Sequence, residues 1–224
     1  MKKLYTLIIA CLLTGSAVAQ TNSGTTASGI KYGIKAGVNF ATVSLSGNDV
    51  DPEDEDELKS QTSFMIGGLV DIPVGTSFSV QPGLTLSGKG SKSEFSETGF
   101  SSKEQTNVMY LEVPVNAVYK IGGIYLGAGP YAAFALSGKQ KWEENMDGEV
   151  DKEEEDLKFG NDPEEDDLRK GDFGINFLAG YQLTNGFNVG VNYGLGLNNI
   201  LPDFEDSDYK AKNRVFSVTL GFSF

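Results

Sequence analysis

Apolar and polar residues alternate with a period of two through most of the chain after residue 30, a pattern that indicates β-strands with one apolar face. Eight segments show this alternation. In chain order their apolar positions run over Ile34–Phe40, Phe64–Val74, Phe78–Leu86, Met109–Tyr119, Leu126–Leu136, Phe173–Leu183, Phe187–Leu197 and Phe216–Phe224. With their flanks, these segments reach the about 9–11 residues that a tilted membrane-spanning strand needs. The sequence therefore predicts an all-β protein.

The connections between these segments alternate in length. Three are tight turns, near Val74-Gly75-Thr76, at Gly122-Gly123 and at Asn185-Gly186, and the last is a strong hairpin signal. The other four are long, at about residues 46–62, 91–107, 138–171 and 199–212. Short turns on one rim and long loops on the other are typical of outer-membrane barrels. We therefore predict an eight-stranded, antiparallel, up-and-down transmembrane β-barrel over residues 30–224.

The polar face of the segments indicates which side meets lipid. It consists mostly of Gly, Asn, Ser and Thr. Small residues suit the narrow lumen of an eight-stranded barrel, whereas the exterior of a soluble, ligand-carrying barrel would hold more Lys and Glu. Aromatic residues near the strand ends of the apolar face resemble an interfacial girdle. We predict that the apolar face meets lipid and that the first and last strands pair, because a barrel in hydrocarbon leaves no strand edge unpaired.

The first twenty residues have the layout of a secretory signal peptide. Two lysines precede an apolar run that ends at Leu13, and Ala17-Val18-Ala19 offers a small-residue cleavage site. We predict that residues 1–19 are a signal peptide and that residues 20–29, rich in Thr, Ser and Gly, are a disordered leader. Acylation of Cys11 is the alternative, since the residues before it resemble a lipobox.

The amino-acid composition excludes several classes of functional site. The 224 residues include 18 Lys+Arg, 31 Asp+Glu, one Cys and no His, with a net charge of −13. Without His, Ser-His-Asp and Cys-His catalysis and His-based zinc sites are excluded, and the negative charge opposes nucleic-acid binding. The mean hydropathy of −0.22 suggests a soluble protein, but only alternate residues of a barrel strand need be apolar. We predict a non-enzymatic protein of the outer membrane.

Most acidic residues lie in three of the long connections. Residues 49–57, 143–167 and 203–208 together hold 25 of the 31 acids. Solvation is the plain interpretation, because runs of like charge are usually disordered. The alternatives are weak Ca²⁺ or Mg²⁺ binding and docking of a basic partner protein. The candidate cation ligands are Asp49, Asp51, Asp54, Asp147, Asp151 and Asp166.

Four charged residues fall on the inward face of the predicted strands: Lys35, Asp71, Glu112 and Lys120. Buried charges are tolerated when they are paired, so we predict a polar network of these residues inside the lumen. A structural role is the plain interpretation. A narrow channel for ions or small solutes is the alternative, although eight strands leave little room for water.

Four stretches carry a family resemblance: KYGIKAGVNFA, YLEVPV, YLGAGPY and SVTLGFSF. They resemble the outer-membrane β-barrel family of Bacteroidetes-type bacteria, often called PorT-like or porin family proteins, over about residues 30–224. The resemblance implies a cell-envelope barrel of the OmpA or OmpX size class and no single activity. We expect a monomer that contacts outer-membrane lipid and lipopolysaccharide and serves envelope structure or surface interaction. The alternative is an accessory subunit of an envelope or secretion complex.

Overall fold

The structure, a computed structural model, describes residues 29–47, 58–146, 149–202 and 208–224. The predicted signal peptide and all but the last residue of the predicted leader lie outside these residues. The strands are β1 (Lys31–Ser46), β2 (Leu58–Lys59), β3 (Gln61–Pro73), β4 (Phe78–Glu97), β5 (Phe100–Ile121), β6 (Ile124–Met146), β7 (Glu149–Asp156), β8 (Gly171–Gln182), β9 (Phe187–Gly196) and β10 (Lys210–Ser223). In the described part of the chain, no helix is long and apolar enough to cross a membrane.

Eight of these strands form a closed antiparallel ring. The order is β1-β3-β4-β5-β6-β8-β9-β10, and β10 pairs back onto β1 with Phe216 opposite Phe40. The short β2 pairs with β4, and β7 pairs with β6 outside the ring. Every wall strand thus has a hydrogen-bonded neighbour on both sides, as a wall in hydrocarbon requires. The predicted eight-stranded up-and-down barrel, with its first and last strands paired, is confirmed.

Large apolar side chains cover the outside of the ring, and we call them the apolar belt: the exposed apolar residues of β1, β3 to β6 and β8 to β10. Phe64 is 53% exposed and Leu220 is 68% exposed, whereas the inward Asn39 is fully buried. Along β3 and the first residue after it, exposed apolar side chains run from Phe64 to Val74. Ten residues at about 3.3 Å each, tilted by about 40°, give a height of roughly 25 Å, which matches an outer-membrane barrel. The predicted outward face is confirmed.

Tight turns join the strands at one rim, which also carries both ends of the ring. Gly122 and Gly123 have φ values of 55° and 88° between β5 and β6. Such left-handed conformations are open to glycine because it lacks a Cβ, and they match the twist of a two-residue hairpin. We call this end the turn rim and the opposite end the loop rim.

The wall continues as strand beyond the apolar belt at the loop rim. β4 and β5 pair as far as Glu97 and Phe100, and β6 pairs with β7 over residues 139–156. The predicted long loop over 91–107 was wrong, and the predicted loop over 138–171 contains a hairpin. Beyond the membrane both faces of a strand meet water, so pairing can continue without apolar alternation. We call these segments, β4 after Gly90, β5 before Val108, β6 after Leu136 and β7, the sheet extension.

Candidate functional site

A buried group of charges, which we call the lumen cluster, crosses the lumen toward the loop rim. It consists of Lys89 on β4, Glu112 on β5 and Asp172 on β8. The Nζ of Lys89 lies 2.8 Å from Oε2 of Glu112 and 2.9 Å from Oδ2 of Asp172. Lys89 is 3% exposed and Asp172 is fully buried. The single ammonium group therefore holds two carboxylates away from water.

Two asparagines complete the hydrogen bonding of the carboxylates. Nδ2 of Asn176 on β8 donates to Oε1 of Glu112 at 3.2 Å. Nδ2 of Asn213 on β10 donates to Oδ2 of Asp172 at 3.0 Å. Buried carboxylates with several donors are much better stabilised than unpaired ones. The lumen cluster is thus bonded to the opposite side of the wall.

Two tyrosines enclose the lysine of the lumen cluster. Its Nζ lies 4.3 Å from the ring centre of Tyr131 on β6 and 5.3 Å from that of Tyr110 on β5. The Tyr131 hydroxyl also donates to Asp172 at 3.3 Å. A cation close to an aromatic face is favoured by the ring quadrupole. Aromatic bulk and ion pairs fill the lumen at the same level.

A second polar contact crosses the lumen from β1. Nδ2 of Asn39 donates to Oγ of Ser87 at 3.0 Å and to the carbonyl of Gly88 at 2.9 Å. Oγ of Ser217 on β10 donates to Oδ1 of Asn39 at 2.8 Å. Asn39 is fully buried, so its amide is satisfied by the wall itself. These bonds tie β1, β4 and β10 together across the narrow interior.

The half of the lumen near the turn rim contains an ion pair and a small cavity. Lys120 on β5 pairs with Asp71 on β3. The cavity has a volume of about 70 Å³ and is lined by Lys35, Asp71, Asn116, Lys120 and Tyr125, among others. A water needs at least about 10–15 Å³ measured in this way, so the cavity has room for a few waters.

Tyr125 fills part of this half by lying against two glycines. A Cβ at Gly180 or at Gly190 would touch the Tyr125 hydroxyl. Both glycines lie on the inward face, on β8 and β9. Glycine at these positions therefore gives a bulky aromatic side chain room inside a barrel of only eight strands.

The structure places the four predicted lumen residues in two groups. Asp71 and Lys120 contact each other at the turn rim, where Lys35 lines the same cavity. Glu112 pairs with Lys89, not with Lys35 or Lys120. Sequence reasoning missed Lys89 and Asp172. Both continue the inward alternation of their strands, Lys89 three residues after the predicted segment and Asp172 one residue before the next, and that continuation was the available signal.

The predicted cation ligands do not form a described site. Asp49, Asp51, Asp54 and Asp147 lie outside the described residues. Asp151 is exposed on β7. Asp166 instead accepts a hydrogen bond of 3.0 Å from the backbone N–H of Asp162. Within the described ranges, no three or more His, Cys, Asp or Glu residues are grouped so that they could hold a metal ion.

The acidic run after residue 142 forms an ion-paired hairpin. Lys139 and Lys141 of β6 both pair with Glu154 of β7, the latter at 2.6 Å, and Lys152 pairs with Glu143 at 2.9 Å. The hydrogen bond from Lys139, followed by that from Lys141, lowers the pKa of Glu154 to about 2. The expectation of disorder was therefore wrong for the strand residues of this run. Their charges are balanced across the hairpin, so like-charge repulsion is offset.

Comparison with known proteins gives the family. Residues 18–201 match the family described as outer membrane protein beta-barrel domain. Among solved structures, the attachment invasion locus protein Ail of Yersinia pestis is 14% identical, with 88% of this chain and 99% of that chain covered and a TM-score of 0.39. Outer membrane protease OmpT from Escherichia coli is 13% identical, with 91% and 98% covered and a TM-score of 0.41. CarO of Acinetobacter baumannii is 11% identical, with 85% of this chain and 97% of that chain covered and a TM-score of 0.41.

None of the curated proteins compared with this chain matches it. The narrower PorT-like assignment stays a prediction. The family match covers well over half of the chain, and the members are proteins of the outer membrane. The protein therefore belongs to the outer membrane protein beta-barrel domain family, and this membership indicates an outer-membrane location.

Proposed function

We propose that this protein is a non-enzymatic, non-conducting barrel that presents its sheet extension at the cell surface for contact with other envelope or extracellular components. Short turns of bacterial outer-membrane barrels face the periplasm, so the turn rim is periplasmic and the loop rim is extracellular. The observation that carries the proposal is the lumen cluster, because it occupies the path that any solute would take.

The bonding of the lumen cluster disfavours the channel alternative. Lys89 would have to leave Glu112 and Asp172 before ions could pass, and separating buried partners costs about 3–5 kcal/mol. True porins avoid this cost by using 16–18 strands around a water-filled lumen. The cavity near the turn rim stops short of the lumen cluster, since its lining includes none of Lys89, Glu112 and Asp172.

The state of the carboxylates supports a non-enzymatic role. In the lumen, Glu112 and Asp172 are held by a lysine and by asparagine amides. On the hairpin, Glu143 and Glu154 are held by lysines. A general acid or base needs a tuned carboxyl group positioned beside a substrate, and these four are committed to structural bonds. The chain also contains no histidine.

The inner side of the β6–β7 hairpin supports a role in surface contact. Glu144 pairs in register with Asp151, Gln140 with Glu155, and Trp142 with Glu153. This side therefore concentrates carboxylates next to one tryptophan. A field of one sign attracts oppositely charged partners over distance, and an aromatic residue supplies buried area in the contact. A basic protein surface is the partner that this chemistry fits.

Ion flux tests the proposal. The refolded protein in potassium-loaded liposomes should release potassium no faster than protein-free liposomes, while a 16-stranded porin in matched liposomes should empty them. Rapid release through the wild-type barrel would contradict the proposal and favour the channel.

Crosslinking in intact envelopes separates a free-standing barrel from an accessory subunit. If the barrel is free-standing, a photoreactive amino acid substituted for Trp142 should crosslink only a minor fraction of the barrel molecules to any one partner. One protein crosslinked in equal amount to the barrel would favour the accessory-subunit alternative.

A further inference from the structure

Half of the basic residues of the chain lie on the outer side of the wall, beyond the apolar belt toward the loop rim. On the sheet extension and the adjoining β2 these are Lys59, Lys92, Lys103, Lys139, Lys141 and Lys152. On β10 they are Lys210, Lys212 and Arg214. They make up nine of the 18 Lys and Arg residues, and we call them the basic belt.

Strand register places the extension lysines on the lipid side. Met109 of β5 belongs to the outward face, and Lys103 lies six residues before it on the same face. A register shift in β6 sets Ser137 opposite Met109, so that Lys139 and Lys141 also point outward. Lys139 and Lys141 both form ion pairs with Glu154, so Glu154 lies on the same outward face of β7.

The register of β10 gives the same result on the other side of the barrel. Phe216, opposite Phe40 of β1, is 42% exposed in the apolar belt. Arg214 and Lys212 follow at two and four residues toward the loop rim, without a break in the pairing with β1. The residues of the basic belt therefore lie on two parts of the wall, the sheet extension with β2 and the loop-rim end of β10.

The residues of the basic belt that lie nearest to the apolar belt are close to the headgroup layer. Lys139 lies three residues beyond Leu136, and Lys212 four residues beyond Phe216. At about 3.3 Å per residue and a tilt of about 40°, these lysines lie roughly 8–10 Å above the apolar belt. The headgroup layer lies directly outside the hydrocarbon, and the long side chains of Lys139 and Lys212 can reach down to it.

The carboxylates on the same face are fewer than the lysines. The sheet extension and β2 place six lysines on the outer side but only four acids, namely Glu94, Glu143, Glu154 and Asp156. Glu154 is shared by two lysines, and Glu94 lies within 4.0 Å of three. Exposed ion pairs of this kind contribute little to stability, so an added anion can share their ammonium groups.

We propose that the basic belt binds the phosphate groups of the lipopolysaccharide that surrounds the barrel, while the apolar belt contacts its acyl chains. The strongly acidic chain would otherwise be repelled by an anionic membrane surface. Basic residues on the outer side just above the apolar belt, with Glu144, Asp151 and Glu155 on the mouth-facing side, resolve this conflict. The proposal does not depend on whether the lumen conducts.

Binding of purified lipid A tests the proposal. The full barrel, refolded in zwitterionic detergent, is titrated with bisphosphorylated lipid A and with the same lipid after removal of its phosphates, and bound lipid is counted by native mass spectrometry. The wild type should bind the phosphorylated lipid at least about tenfold more tightly, and 1 M salt should reduce this preference.

Two double variants of equal charge change locate the effect. Lys139→Gln with Lys212→Gln should lose most of the preference for phosphate. Lys31→Gln with Lys158→Gln, at the turn rim and in the β7–β8 segment, should keep it. Glu143→Gln with Glu154→Gln should strengthen binding, because lysines are released. Heat-dependent gel mobility checks that each variant is folded.

Two results would overturn the proposal: equal binding of both lipids by the wild type, or equal loss in the two lysine variants. If the first double variant does not fold, Lys141→Gln with Lys210→Gln removes one lysine from each side of the belt and must give the same loss.

Discussion

Lys89 and Asp172 are 83 residues apart in the sequence, and their side chains form an ion pair of 2.9 Å inside the closed barrel. They come from β4 and β8, which are separated in the ring by β5 and β6. The contact therefore exists only when the intervening strands have curved into a barrel. Closure of the wall and filling of the lumen depend on each other through this pair.

Replacing Lys89 by Met should destabilise the barrel strongly. The substitution leaves the buried carboxylates of Glu112 and Asp172 without their cation, and removal of one partner from a buried ion pair costs about 3–5 kcal/mol. The free energy of unfolding in urea, measured in lipid vesicles, gives the loss. Lys152→Met is the matched control, because its exposed pair with Glu143 should contribute less than about 1 kcal/mol. Equal losses of unfolding free energy in the two variants would show that the lumen cluster stabilises the barrel no more than an exposed ion pair does.

Replacing Gly190 by Ala should show that Tyr125 fills the lumen. The new Cβ would meet the Tyr125 hydroxyl, and overpacking of this kind costs about 1–3 kcal/mol. Gly68→Ala should stay within about 0.5 kcal/mol, since its nearest neighbour is the Gly33 carbonyl oxygen at 3.7 Å. In a Tyr125→Phe background the cost of Gly190→Ala should fall, and an unchanged cost there would argue against this packing.

A lysine on the apolar belt should report its depth in the bilayer. Val218 is 42% exposed and lies between Val38 and Val191 in the register of the wall. Val218→Lys should cost about 2–4 kcal/mol in vesicles, whereas Ser137→Lys, just beyond the belt, should cost about 0–1 kcal/mol. Similar costs at both depths would mean that the outward face does not lie in hydrocarbon.

Glu154 should titrate far below an ordinary glutamate. Its pKa of about 2 arises from the hydrogen bonds of Lys139 and Lys141, compared with about 4.3 for a free side chain. Because the folded pKa is lowered, the stabilisation of the hairpin is present above about pH 4.3 and is lost as the pH falls toward 2. Carboxyl NMR shifts of ¹³C-labelled barrel give the midpoint directly. In Lys139→Gln with Lys141→Gln the midpoint should rise, and a wild-type midpoint near 4 would refute the pairing.

The barrel wall was predictable from the sequence because lipid imposes a strict alternation. The outward positions from Ile34 to Leu220 follow from the period of two alone. The sheet extension was not predictable in the same way. Lys139, Trp142 and Glu154 lie where both faces meet water, so nothing in their pattern distinguishes a strand from a loop.

The partners inside the lumen depend on how the strands are staggered around the ring. Alternation can place Lys89 and Asp172 inward, but it cannot say that they lie at one height. It likewise could not decide between Lys35 and Lys89 as the partner of Glu112. That choice is made by the register of every strand pair between them, and a single sequence does not reveal the shear of a barrel.

Single-channel recording in planar bilayers tests the closed lumen most directly. The wild-type barrel should show no unitary current steps in 1 M KCl, while Lys89→Ala with Glu112→Ala and Asp172→Ala should show them, because the substitutions remove the side chains of the lumen cluster together with all three of its charges. Heat-dependent gel mobility checks that the triple variant is folded. Stable unitary steps through the wild type, unchanged in the triple variant, would contradict the account.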